Sequence, residues 1–292
     1  MQGIIIINKP QGYTSQDVVS KVKKILNVKK AGHTGTLDPM ATGVLPVLIG
    51  EYTKLSKYLV EHDKTYIATM KLGEKRETGD VEGKVLENVE VPETAVDVNT
   101  IKNVLDTFLG KQKQIPPMYS AIKVNGKKLY EYAREGKTVE VTERDIEIEK
   151  IDLLKIDKDN FEITFEVSCS KGTYIRVLCE DIAKKLGTVG YMKYLNRTRV
   201  DRFYIQDAIS FEVLENNKNN EKFLEKNLIK MEEIFENNPT IILNDRKKEL
   251  FLNGVMLTFE NDEGLYNIYD LKNNYIGTGI IKNKLLKRDI II

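Results

Sequence analysis

Two nine-residue stretches alternate apolar and polar residues, and nothing in the chain restricts its folding more. Tyr66, Ala68, Met70 and Leu72 share one face of Lys64 to Leu72, and Phe161, Ile163, Phe165, Val167 and Cys169 share one face of Phe161 to Cys169. A period of two puts such residues on one side of a pleated strand, so each stretch predicts a half-buried strand. Gly3 to Ile7, with four consecutive Ile, reads as a short buried strand stopped by the turn Asn8-Lys9-Pro10-Gln11-Gly12.

Helical spacing takes over elsewhere. Val18, Val19, Val22, Ile25 and Leu26 follow a cap at Thr14 or Ser15; Ile101, Val104, Leu105, Phe108 and Leu109 follow one at Asn99 or Thr100, with Gly110 just past the end. The turn Ser170-Lys171-Gly172-Thr173 leads into a helix carrying Ile175, Leu178, Ile182 and Leu186. A last helix is predicted over Phe223, Leu224, Leu228, Met231, Ile234 and Phe235, ending at Asn237-Asn238-Pro239. Asn125-Gly126 is a hairpin signal. Beyond Pro239, short apolar runs separated by Gly, Asn and Asp read as a small, mostly β module, which sets a boundary between 1–238 and 239–292.

Apolar runs are far below the ~18 residues of a membrane span, and the start MQGIIIINKPQG lacks the basic region of a signal peptide, so secretion is not expected. The two cysteines, Cys169 and Cys179, form no C-x-x-C pair and suit a reducing cytoplasm; with His33 and His62 the only histidines, a zinc site is not expected. Neither a G-x-x-x-x-G-K-[ST] nor a G-x-G-x-x-G pattern occurs, which argues against nucleotide cofactors.

The net charge of +1 hides a division: residues 1–64 hold nine Lys against five acids, 169–206 hold eight Lys and Arg against three, and 207–239 reverse the sign. Ordinary solvated faces account for this as well as one phosphate-binding face does. With 14 Tyr and 9 Phe as stacking platforms, the second reading suits single-stranded or loop RNA.

Asp38 lies in the aperiodic loop Ala31 to Gly43, where a scaffold displays functional groups, although Leu37-Asp38-Pro39 is also what a simple turn looks like. Tyr66 reads by pattern as core. Arg176 opens a helix against the macrodipole, which invites a carboxylate or phosphate partner; a solvent-facing Arg is the alternative.

Six ordered blocks then converge on a known family. They are Asn8-Lys9-Pro10-Gln11-Gly12 with Thr14-Ser15, Gly32-His33-Thr34-Gly35-Thr36-Leu37-Asp38-Pro39-Met40-Ala41-Thr42-Gly43-Val44-Leu45-Pro46, Lys64-Thr65-Tyr66, Gln114-Ile115-Pro116-Pro117-Met118-Tyr119-Ser120-Ala121-Ile122-Lys123, Lys171-Gly172-Thr173-Tyr174-Ile175-Arg176, and Leu195-Asn196-Arg197. Over about residues 3 to 205 the chain resembles the bacterial tRNA pseudouridine-55 synthase family, the TruB type.

The resemblance implies an α+β pseudouridine synthase fold with a mixed central β-sheet and a PUA-like C-terminal RNA-binding module. It implies isomerisation of a uridine in the T-arm loop of tRNA, flipped from its stack, without metal or cofactor. Asp38 would be the catalytic carboxylate, paired with Arg176; Tyr66 would stack on the target base near C5. Tyr174 and Leu195 would line the pocket, and His33 would fill the space the base leaves. Lys9 and Pro10 would buttress the active-site loop. A mobile insertion, about 118–144, would grip RNA through Lys123, Lys127, Lys128 and Arg134, with Arg197 a further RNA contact. A cytoplasmic monomer with no obligate protein partner is expected. Arg76 and Thr78 precede Asp80 where the family often has two Thr, and Val200-Asp201 stands where it has Val-Gly or similar, beside an expected basic helix. An RNA-folding module, a synthase for another RNA position and a carboxylate-pair glycosidase are the rival functions, the last lacking a second acid paired with Asp38 in the sequence.

Overall fold

The computed structural model describes residues 1–60 and 62–292. Its main sheet runs, in order, Gly3–Lys9, Thr42–Ile49, Gly190–Val200, Lys64–Leu72, Glu162–Cys169, Arg144–Asp157 and Gly110–Gln114, with Ala31–His33 and Phe203–Tyr204 attached off this path. Pairing is antiparallel throughout except where Gly190–Val200 meets Thr42–Ile49, so the sheet is mixed.

Both alternating stretches are strands, over Lys64–Leu72 and Glu162–Cys169, and they pair with each other. The four-Ile run is continuous because its strand is covered on both faces. Ile4 and Ile6 pack with Val44, Leu48 and Leu55, whereas Ile5 and Ile7 pack with Leu45, Val47 and Val18 of the helix Ser15–Leu26. Thr14 caps that helix in a reciprocal box with Asp17, and Asn27 ends it at φ 49°. Across the sheet, the helix Ile175–Lys185 lays Ile175, Leu178 and Ile182 on the face that carries Tyr66, Ala68 and Leu195.

Several expectations shift. The helix Val98–Asp106 starts earlier than predicted because Asp97 is its cap, accepting from Thr100 N–H at 2.9 Å, and Gly110 opens a strand instead of closing the helix. The predicted last helix is two short ones, Glu221–Asn227 and Met231–Ile234. Between them Ile229 exchanges backbone hydrogen bonds with Ile4 at 2.8 and 3.0 Å, and an edge strand's unpaired groups outweigh one more helical turn. No basic helix surrounds Val200-Asp201: Gly190–Val200 is a strand, and Asp201 takes the turn after it at φ 52°.

Residues 240–291 build a second sheet, ordered Thr240–Leu243, Gly264–Asp270, Tyr275–Lys282, Leu285–Ile291 and Leu257–Thr258, with an unforeseen helix Asp245–Leu252. It is joined to the rest through Ile290, which packs with Leu55 and Leu59, and through the buried Asp289 carboxylate, which accepts from Lys57 and from Tyr58 Oη at 2.7 Å. No helix among the described residues is long and apolar enough to cross a membrane.

Candidate active site

A cleft of about 810 Å3 opens over the sheet face that holds Tyr66 and Leu195, within the size range of pockets that enclose a small ligand. Its wall includes Asp38, Tyr174 and Arg176, and its basic lining comprises Lys64, Lys123, Arg144, Lys171 and both Arg176 and Arg197.

Asp38 stands on the loop between Ala31–His33 and Thr42–Ile49, and that loop is braced from below. Lys9, fully buried, donates from Nζ to the carbonyls of Pro10 at 3.1 Å, Pro39 at 3.1 Å and Ala41 at 2.5 Å. Ser15 Oγ accepts from Leu37 N–H at 2.9 Å, and Gly12 N–H reaches Pro39 O at 2.9 Å. A turn does form, closed by Ala41 N–H on Asp38 O at 3.0 Å, and because backbone atoms close it the carboxylate remains for Arg176.

Arg176 is the second residue of its helix and nearly buried, and its guanidinium faces two carboxylates. Nε lies 3.1 Å from Asp38 Oδ2 and Nη2 3.5 Å from Asp38 Oδ1, a side-on pairing; Nη1 lies 3.6 Å from Asp80 Oδ2. The remaining donors go to carbonyls, Nη1 to Thr78 at 2.9 Å and Nη2 to Tyr119 at 2.8 Å. Two acids answer the unfavourable helix-start position. Burial pushes the Asp38 carboxyl up from its ordinary 3.8, Arg176 pulls it down, and Asp80 pushes it up again.

Asp80 is a neighbour of Arg176 that the sequence did not place at the site. It lies in the turn after Thr78, 4% exposed, and accepts from Thr78 Oγ1 at 2.5 Å and Glu82 N–H at 3.1 Å. An acid in a Gly-flanked turn, Thr78-Gly79-Asp80, was the available signal. Since Asp80 does not line the cleft, it does not form with Asp38 the flanking carboxylate pair of a glycosidase.

Tyr66 is 7% exposed in its strand, directly opposite Arg197 on one side and Val167 on the other. Desolvation pushes its phenol up to about 12. Gln114 holds Tyr174 by its backbone, Oε1 accepting from Tyr174 N–H at 2.8 Å and Nε2 donating to Tyr174 O at 3.1 Å. His33 does not line the cleft; burial pulls its imidazole below 6.5, toward the neutral form.

In the 118–144 segment, the hairpin Lys123–Val124/Lys127–Lys128 leads into the helix Leu129–Arg134. Of the expected gripping residues, Lys123 lines the cleft, Lys127 pairs with Glu135 and covers the Tyr132 ring, and Lys128 and Arg134 both lie 5.3 Å from the Tyr130 ring centroid. Arg197 departs from its expected place. It stands in the cleft lining but is 0% exposed, because its guanidinium turns inward to the carbonyls of Val44 at 2.8 Å and Gly35 at 3.1 Å.

Positions 23–175 match the TruB family pseudouridylate synthase N-terminal domain, and 176–236 match the tRNA pseudouridylate synthase B C-terminal domain. The chain is 41% identical over 290 residues to a tRNA pseudouridine synthase B of Francisella philomiragia, covering 99% of this chain and 94% of that one. It is 51% identical over 220 residues to the protein of the same name from Psychrobacter cryohalolentis, covering 74% of this chain but 60% of that relative. Among solved structures, the archaeal box H/ACA sRNP Nop10–Cbf5 complex aligns over 99% of this chain and 85% of that chain, with a TM-score of 0.69 at 26% identity.

Proposed function

The chain belongs to the TruB family of pseudouridylate synthases, and on that premise we propose that it converts uridine 55 in the T-arm loop of tRNA to pseudouridine, with Asp38 as the catalytic carboxylate. The observation that carries this reading is the cleft that Asp38, paired with Arg176, shares with Tyr66 and Leu195.

The chemistry requires the N1–C1′ glycosidic bond to break, the uracil to turn, and a C5–C1′ bond to form; the C5 proton then leaves and N1 gains one. No atom is lost, so what the protein must supply is an extruded base, a carboxylate and a site for the departing proton. Asp38 acts as the nucleophile or base, kept ionised and aimed by Arg176. Tyr66 stacks on the flipped uracil with its phenol toward C5, and Tyr174 and Leu195 pack around the nucleotide. His33, outside the cleft lining, is assigned to the space the base leaves in the RNA.

Lys123, Lys64, Arg144 and Lys171 form the basic wall along which the loop phosphates run, and the 118–144 segment grips the RNA over it. The proposal divides the chain into a catalytic unit, 1–238, and a PUA-like RNA-binding module, 239–292, and has it work as a monomer in the cytoplasm.

The test is release of tritium from C5-labelled uridine in an unmodified tRNA transcript, comparing wild type, Asp38→Asn and a transcript lacking the target uridine. Release by wild type on the intact transcript alone is expected. Tight binding without release would turn the reading toward an RNA-folding module, and release from the transcript lacking uridine 55 toward another target position.

A further inference from the structure

Arg197 is among the largest fully buried side chains of the protein, and its guanidinium is incompletely satisfied. Nε donates to Val44 O at 2.8 Å and Nη2 to Gly35 O at 3.1 Å, whereas Nη1, buried, meets no hydrogen-bond acceptor among the described residues. A buried donor left unpaired costs stability, and an apolar side chain of similar volume would avoid that cost, so its presence here calls for a reason.

Position supplies one. In the sheet register Arg197 lies opposite Gly43 on one neighbouring strand and opposite Tyr66 on the other. Directly opposed residues place their side chains on the same face about 5 Å apart at Cβ, so the guanidinium and the phenol are neighbours over the cleft. The contact with Gly43 is so close that a Cβ there would sit 2.2 Å from Arg197 O, at a φ of +108°, which only glycine accommodates. The two carbonyls that Arg197 holds belong to Gly35 and Val44, one on each side of Asp38 along the chain.

We propose that Arg197 is a positioning residue that ties the Asp38 loop to Tyr66, with Nη1 held for the Tyr66 oxygen. A donor on one side of that oxygen leaves its O–H to point into the cleft, toward the bound nucleotide. The guanidinium also opposes the effect of burial on the phenol. One rigid fork thereby sets the distance between the carboxylate that begins the reaction and the ring that stacks on the base; lysine, with a single nitrogen, cannot span the three positions. What the held phenol is for rests on the isomerase reading, whereas the pairing itself is measurable without turnover.

The experiment is a double-mutant cycle on stability with Arg197→Lys, Tyr66→Phe and the double variant, together with single-turnover tritium release and RNA affinity for Arg197→Lys. Tyr66→Phe is expected to lower the melting temperature by about 2–4 °C, and the double variant to lose less than the sum of the singles. Arg197→Lys is expected to slow release at saturating RNA by about 10- to 100-fold with RNA affinity unchanged. Additive losses in the cycle overturn the assignment, as does weakened RNA affinity with the saturated rate intact. Should Arg197→Lys fail to fold, Tyr66→Phe decides alone, because a melting temperature at or above that of wild type removes the pairing. If wild type releases no tritium, the isomerase reading falls while the coupling is still read from the melts.

Discussion

Arg176 meets Asp38 side-on, Nε to Oδ2 at 3.1 Å and Nη2 to Oδ1 at 3.5 Å. The pairing fixes the carboxylate in a cleft whose burial works against its charge, and the consequences can be measured.

Asp38→Asn is expected to abolish tritium release, by at least about 1,000-fold, while RNA affinity stays within about twofold. Stability should respond with the opposite sign. Burial raises the Asp38 pKa in the folded state, so the ionised carboxylate opposes folding above that value, and this penalty is relieved as pH falls from the raised value toward 3.8. At pH 7 to 8 the Asn variant should therefore be at least as stable as wild type, the difference shrinking in acid; thermal melts across pH check it.

Activity should have an acid limb from the same group. Asp38 must be ionised, so single-turnover rates are expected to fall as pH drops through a midpoint above the ordinary 3.8. Arg176→Met removes the charge that pulls this pKa down, and its limb should move to higher pH. An unshifted limb in that variant would assign the titration to another group.

Asp80 stands one remove from Asp38, against Nη1 of Arg176 at 3.6 Å. Asp80→Asn retains an acceptor but removes charge, and a loss of about 10-fold in saturated rate is expected, against about 100-fold for Arg176→Lys, which cannot present the fork. Neither should alter RNA affinity, as filter binding would show.

Lys9→Met leaves the carbonyls of Pro10, Pro39 and Ala41 without their shared donor. A destabilisation of about 1–3 kcal/mol is expected by urea unfolding at an unchanged slope. Release should slow as well, because Pro39 and Ala41 flank Asp38 closely.

Lys123→Ala, at the exposed rim of the cleft, should weaken binding to all T-arm sequences alike. It should lower the slope of log affinity against log salt by about one; an unchanged slope would remove Lys123 from the phosphate path.

Local signals carried much of this molecule. The alternation in Lys64–Leu72 identified a strand to the residue, the Thr14 cap and valine spacing identified the first helix, and the ordered blocks marked Asp38, Tyr66 and Arg176. These are legible because short-range hydrogen bonding and one-sided burial write periods of two and 3.6 directly into a chain. Gly190–Val200 hid itself: Lys193, Asn196, Arg197 and Arg199 break its apolar pattern, and it is a strand because it has partners on both flanks. The same sheet buried Arg197 and set it opposite Tyr66, and it was the folding of distant loops that brought Asp80 to Arg176. Sequence by itself determined which residue types are available to the cleft and where the first elements begin. Which charges meet, and which are buried, only the tertiary structure decided, because pairing between residues 38, 80 and 176 depends on contacts that no local period records.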